Sequence, residues 1–291
     1  MKKILITGAG SYIGTSLERY LSAWPDRYRV DTVDMIDGSW RETSFSGYDC
    51  VYHVAGIAHA DTGAVSEERK ALYYRVNTDL AVETARKAKA DGVRQFIFMS
   101  SASVYGSTTP IGKANVVERD TPFQPSNVYG DSKVKAEQGI LPLSDERFKV
   151  AILRPPMIYG PGSKGNYPTL SKLAKKLPFF PVVENRRSML FIDNLTEFVR
   201  LIVDHEDEGI FWPQNAEYSN TTKIVRQIAE IHGRRILFVR GVTWALKLLS
   251  LFTKLPNKAF GNMTYAQELS AYREPYQKYS LEESIRITEQ T

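Results

Sequence analysis

The sequence predicts an α/β fold built on a doubly wound parallel sheet, with a smaller, discontinuous C-terminal part. Three observations carry this expectation. Short β-branched runs alternate with helix-period patterns across the first half, a glycine-rich turn follows the first run directly, and proline and glycine thicken after Arg154. The first runs are Ile4-Leu5-Ile6, residues 30–33 and residues 51–54, and Ile13, Leu17, Tyr20 and Leu21 share one helix face between the first two. A helix is expected over 77–90, with Leu80, Ala81, Thr84, Ala85 and Ala88 on its inner face and Gly92 placed to end it. A strand over 96–99, a helix from about Tyr129 and a strand over 150–153 continue the alternation. Beyond it, Pro155, Pro156, Gly160, Pro161 and Gly162 mark the passage into a second part. The expected division is 1–155, with 187–204 returning to it as a strand and helix, against 156–186 and 205–291.

Composition narrows the classes. A chain of 291 residues can hold one large α/β unit and a smaller attachment, and 43% hydrophobic with 24% charged residues excludes a disordered chain. The net charge of +5 suits nucleic acid, an anionic membrane or a phosphate-bearing small molecule. Basic residues are interspersed with 33 acidic ones, and there is no arginine-rich arm, zinc-finger spacing or RNA-binding aromatic motif, so nucleic acid is not an expected partner. Cys50 alone allows no intrachain disulfide, which fits a reducing cytoplasm. The N-terminus is too short for a signal peptide before the glycine turn, so the first strand is expected to open the chain. His53, His59, His205 and His232 lack ligand spacing, and no metal is expected. His53 is placed in a strand and His59 within reach of the pocket, both in structural roles.

Thr7-Gly8-Ala9-Gly10-Ser11-Tyr12-Ile13-Gly14 joins a predicted strand to a predicted helix, the context in which a dinucleotide fingerprint operates. Gly8, Gly10 and Gly14 let the backbone turn tightly and approach a pyrophosphate, whose charge the helix N-terminus stabilises. Asp34 ends the second strand twenty positions beyond Gly14, where a carboxylate accepts from an adenosine ribose and repels a 2′-phosphate. Met35 and Ile36 follow it in place of a cation, which favours NAD over NADP; Asp37 is the alternative acceptor.

Tyr129-Gly130-Asp131-Ser132-Lys133 sets a phenol and an ammonium at i and i+4, on one helix face. A phenol of ordinary pKa about 10 is a poor base at neutral pH, and a nearby positive charge is expected to bring it into working range. Ser100-Ser101-Ala102-Ser103-Val104-Tyr105-Gly106 lies at the C-terminal end of a predicted strand, where parallel sheets hold ligands. Ser101 is placed to hydrogen-bond a reacting oxygen, with Ser100 and Ser103 as candidates to share the role.

Taken in order, the glycine turn, Asp-Cys-Val-Tyr-His-Val-Ala-Gly at 49–56, Val-Asn at 76–77, the serine run and Tyr-x-x-x-Lys resemble the extended short-chain dehydrogenase/reductase family over roughly residues 1–200. The resemblance implies a Rossmann-type fold, NAD as cofactor and a nucleotide-sugar substrate. It implies Ser101, Tyr129 and Lys133 as the catalytic triad, with Lys133 also on the nicotinamide ribose. Gly8, Gly10, Ser11, Tyr12, Ile13, Gly14, Asp34, Ala55, Gly56 and Asn77 are the implied cofactor contacts. Ser11 stands where the family more often has glycine. Members that dehydrate nucleotide sugars resemble Thr-Asp-Glu before Val-Tyr-Gly, and here Ala102 and Ser103 replace the two acids, so dehydration and decarboxylation are not expected. What remains is redox chemistry at C4, as epimerisation or ketoreduction.

Residues 153–162 and 185–194 resemble the family's sugar-nucleotide segments, with Arg187 at the diphosphate and Ser103, Tyr159 and Asn166 as further substrate contacts. Met157 replaces an asparagine common in epimerases, a departure from plain glucose/galactose 4-epimerases, while the paired prolines Pro155-Pro156 and the double arginine Arg186-Arg187 resemble the ketoreductase and N-acetyl-aminosugar branch. The resemblance implies a homodimer through helices 77–90 and 129–138. The apolar stretch 241–256, with Trp244, Leu246, Leu248, Leu249, Leu251 and Phe252, is too short to span a bilayer; it is expected to pack over the substrate part, membrane contact being the alternative. A non-catalytic NAD-sensing protein is the contrasting class.

Overall fold

The computed structural model describes residues 1–57, 65–106, 108–253 and 255–290; His59 and Lys254 lie outside them. In chain order, β1 (Lys2–Thr7), α1 (Tyr12–Leu21), β2 (Tyr28–Val33), β3 (Cys50–His53), α2 (Glu67–Tyr73), α3 (Leu80–Ala90) and β4 (Gln95–Met99) come first. There follow β5 (Val116–Val117), α4 (Val128–Ile140), β6 (Lys149–Leu153), β7 (Met157–Tyr159), α5 (Asn166–Lys176), β8 (Phe179–Pro181) and β9 (Met189–Phe191). The last are α6 (Ile192–His205), β10 (Gly209–Phe211), α7 (Thr221–Ile231), β11 (Leu237–Val239), α8 (Thr243–Leu249), α9 (Leu255–Phe260), β12 (Thr264–Tyr265) and α10 (Leu281–Gln290).

The chain divides into two compact units. The first, residues 1–106, 122–155 and 195–213, holds a six-stranded sheet in the order β10-β6-β4-β3-β1-β2, parallel throughout. Winding reverses between β1 and β3, the switch point at whose carboxyl ends such sheets bind ligands. Every residue of β3 and β4 is buried, as central parallel strands covered on both faces must be. Ala81, Ala85 and Ala88 on α3 let that helix lie close to a cluster containing Trp40, Phe96 and Phe98. The helix expected over 77–90 becomes α-helical only at Leu80, because residues 74–79 form a π-helical turn that joins α2 to α3.

The second unit comprises residues 107–121, 156–194 and 214–291. Residues 107–121 belong to it because β5 pairs with β12. The strand expected to return to the main sheet, β9, instead pairs with β7 in register Ile158↔Leu190. The sixth strand of the main sheet is β10, in the first unit, whose Ile210 pairs with Ile152; three residues are too short for periodicity to reveal. Helices α5, α7 and α10 pack together. In the stretch 241–256, Ala245 and Leu246 are half-buried and Pro256 is buried, while Trp244, Leu248, Leu249, Leu251 and Phe252 are exposed. Among the described residues no helix is long and apolar enough to cross a membrane.

Candidate active site

The glycine turn leaves β1 at the switch point. Gly8 has φ +92, and a Cβ there would lie 3.0 Å from the Ala55 backbone, so the two strand-end loops approach as closely as glycine permits. Gly10, at φ +72, has open space beside it. Ser11 has φ −69 and ψ 146, a conformation open to any residue, so glycine is not required; its hydroxyl caps α1 by accepting from the Gly14 amide at 3.2 Å. Asp34 lies just beyond β2, exposed, and one carboxylate oxygen accepts from the Ile36 amide at 2.9 Å. Asp37 accepts from both the amide and hydroxyl of Ser39, which commits that oxygen to a local turn. On β3, the His53 ring stacks between Phe96 and Phe98, its Nδ1 is 2.8 Å from the Thr7 hydroxyl, and burial pushes its pKa down to about 3, so the imidazole is neutral. The open backbone at Gly10, the capped start of α1 and the exposed Asp34 are the groups here that could hold a dinucleotide.

Asn77 sits in the π-helical turn, fully buried. Its side-chain oxygen accepts from the Ile57 amide at 2.8 Å, while its nitrogen donates to the Ile57 carbonyl and to Ser132. The expected cofactor contact is thereby corrected to an indirect one: the amide is occupied in holding the Ala55–Gly56–Ile57 loop to α4. A Cβ on Gly56 would lie 3.0 Å from the Asn77 oxygen and 3.5 Å from Lys133 Nζ, so the loop passes close to both.

Just beyond β4, the Ser101 hydroxyl donates to Ser103 Oγ at 3.2 Å and acts to lower the pKa of the Tyr129 phenol. Lys133, one turn along α4, is buried; it donates to the Met99 carbonyl at 2.8 Å and lies 4.6 Å from the Phe98 ring centre. Tyr129 and Lys133 thus both reach the β4 terminus from one helix face. Burial lowers the Lys133 pKa to about 8, with the Glu137 carboxylate opposing the fall. The phenol, however, is raised by its burial, against which Ser101's hydrogen bond acts. The expected lowering by Lys133 is absent because that ammonium is turned to the Met99 carbonyl.

Two supports were missed in the sequence. Asn127 caps α4 by accepting from the Gly130 amide at 2.9 Å, and a Cβ on Gly130 would fall on the Ser103 carbonyl oxygen, so only glycine lets α4 lie against the serine turn. Beneath, Ser100 donates to Glu137, whose carboxylate pairs with Arg154 at 2.6 Å; Arg154 donates to Tyr105 at 2.5 Å and Trp212 donates to the same phenol at 2.7 Å. Ser100 is therefore structural. Glu137, eight residues after Tyr129 and four after Lys133, carried the only signal of this network.

In the second unit, Arg187 Nη1 donates to the carbonyls of Lys258 and Ala259 at 3.1 and 3.5 Å, and no carboxylate pairs with it among the described residues. Its pKa is lowered by burial. Asn166 is exposed at the start of α5. Tyr159 is corrected from substrate contact to core: it is fully buried, stacks on Tyr167 with ring centres 5.1 Å apart, and its hydroxyl accepts from Asn215 at 2.9 Å beside Ser284. Among the described residues no group of three or more acidic, His or Cys side chains could hold a metal.

The NAD dependent epimerase/dehydratase family matches residues 4–211, most of the chain and all six strands of the main sheet. The chain belongs to this family. With membership goes an NAD-dependent enzyme, and the glycine cradle and Asp34 fit that cofactor. The UDP-glucose 4-epimerase of Vibrio cholerae is 30% identical over 290 residues, 92% of this chain and 85% of that protein. The N-acetyl-alpha-D-glucosaminyl-diphospho-ditrans,octacis-undecaprenol 4-epimerase of Escherichia coli O157:H7 is 27% identical over 216 residues, 68% of this chain and 62% of that one. In fold, the UDP-glucuronic acid 4-epimerase of Bacillus cereus, solved with NAD, superposes with a TM-score of 0.72 at 18% identity, covering 99% of this chain and 97% of that one.

Proposed function

We propose that the chain is a 4-epimerase of a nucleotide-activated sugar, with a UDP-sugar as substrate, working through a 4-keto sugar. The close fit of α4 against the serine turn at Gly130, which sets Tyr129 beside that turn with Lys133 one helical turn on, carries this reading. A phenol and a hydroxyl at the end of β4 can share one substrate oxygen: Tyr129 takes the proton of the C4 hydroxyl, and Ser101 hydrogen-bonds that oxygen as it becomes a carbonyl. Lys133, held at the Met99 carbonyl, is the proposed donor to the nicotinamide ribose. NAD, which the glycine turn, Asp34 and Lys133 would hold, would supply the acceptor and donor of the C4 hydride. Delivery to the opposite face of the ketone would invert C4, with Tyr129 giving the proton back.

Arg187 is the proposed anchor for the diphosphate, since a half-buried guanidinium without a carboxylate partner among the described residues favours an anion. Asn166 and Ser103 are the proposed sugar contacts. Ala102 and Ser103 provide no carboxyl group for the proton transfers of water elimination, which argues against dehydration. A homodimer in a reducing cytoplasm completes the proposal.

The test is incubation of purified protein with UDP-N-acetylglucosamine and, separately, UDP-glucose, with no cofactor added, followed by proton NMR. The C4 epimer is expected, and Tyr129→Phe should abolish it. No epimer from either sugar overturns the reading. Consumption of added NADH or NADPH by a 4-keto-6-deoxy sugar nucleotide would then indicate a ketoreductase, and cofactor binding without any turnover an NAD sensor.

A further inference from the structure

The exposed apolar side chains of the second unit are concentrated in one short segment. Trp244 and Leu248 on α8, Leu251 and Phe252 just after it and Leu255 at the start of α9 fall within twelve residues and are 70, 53, 77, 82 and 70% exposed. A set of that size is more than scattered surface hydrophobes, although Ala245 and Leu246 of α8 are half-buried. The charge around it is of one sign. From residue 231 to 267 there is no acidic residue, while Arg234, Arg235, Arg240, Lys247, Lys254 and Lys258 all fall within it.

That combination selects the occupant. A second copy of this chain meeting the same face would oppose like charges across a two-fold contact, which costs free energy. A surface both apolar in depth and anionic at its boundary matches instead, with the aromatic and leucyl side chains in the acyl boundary and the cations among headgroups. We infer that the α8–α9 segment docks on an anionic lipid bilayer, as an interfacial anchor and not a span. This does not depend on the catalytic proposal. It bears on it, because α9 is the helix whose Lys258 and Ala259 carbonyls hold Arg187, so docking would set the candidate diphosphate subsite next to the membrane surface.

The experiment is co-sedimentation of the full chain with phosphatidylcholine vesicles, with and without phosphatidylglycerol, at low and high salt. Binding to the phosphatidylglycerol vesicles is expected, weaker with phosphatidylcholine alone and weaker at high salt. Leu251→Ser and Phe252→Ser should each weaken partitioning about tenfold or more, from the loss of a buried apolar side chain, and Lys247→Glu should act at low salt only. Because both apolar positions are exposed, circular dichroism of the variants should match that of the native chain. No binding to anionic vesicles overturns the inference, as does unaltered binding by both apolar variants. Dissociation of a dimer by Phe252→Ser without any vesicle binding overturns it in favour of a second copy, and salt-sensitive binding to a soluble acidic protein but not to vesicles in favour of a protein partner.

Discussion

Lys133 carries the largest conflict between burial and charge in the candidate site. Its ammonium is enclosed, and its pKa falls from the ordinary 10.5 to about 8. In the range between those values the unfolded chain holds the proton that the folded chain has released, so stability rises with pH there; below about 8 both states are protonated and the whole cost is present. That cost is about 3 kcal/mol by the shift, offset by about 1 kcal/mol for the bond to Met99. Lys133→Met is therefore expected to gain about 2 kcal/mol at pH 7 while losing turnover. Thermal unfolding of the cofactor-free protein checks this: the advantage of the variant should shrink between pH 8 and 10, and a constant or reversed difference would sink the account. A group whose removal strengthens the fold but silences the reaction is held for chemistry. The convergence of Ser101, Tyr129 and Lys133 on one strand end was legible from spacing, because i and i+4 share a helix face whatever the fold. The direction of Lys133 was not, since it depends on a carbonyl 34 residues earlier.

At the scale of elements, α4 is the support on which the candidate site rests. It is fitted against the serine turn at Gly130 and tied below by the Glu137–Arg154 pair, both side chains enclosed. Removing one partner strands a buried charge, so Glu137→Leu is expected to lose about 3–5 kcal/mol, whereas Glu137→Leu with Arg154→Met should recover most of it. Urea unfolding of the two single variants and the double variant measures this, and simple additivity of the losses would contradict it. Sequence pattern located most elements of the first unit within a few residues, since buried parallel strands read as continuous apolar runs. It could not tell that β9 pairs with β7 or that β10 extends the main sheet, because three-residue strands carry no period and their pairing is decided by packing. Tyr159 was misassigned for the same reason: its partners Asn215 and Ser284 come from distant segments.

At the scale of the molecule, the chain passes between its two units five times, and neither unit is a continuous stretch. A fragment of residues 1–213 would contain β5 and β8 without their partners β12 and β11. It is expected to aggregate even though the main sheet is complete within it, and light scattering of the refolded fragment tests this; a monodisperse fragment that binds NAD would refute it. The same pairing has a consequence on the ribosome. Val116 and Val117 leave the exit tunnel long before Thr264 and Tyr265 are synthesised, a wait on the order of ten seconds at ordinary elongation rates. Throughout that interval a nascent edge stands open, so during its own translation this chain is expected to depend on chaperone cover, however stable it is once released.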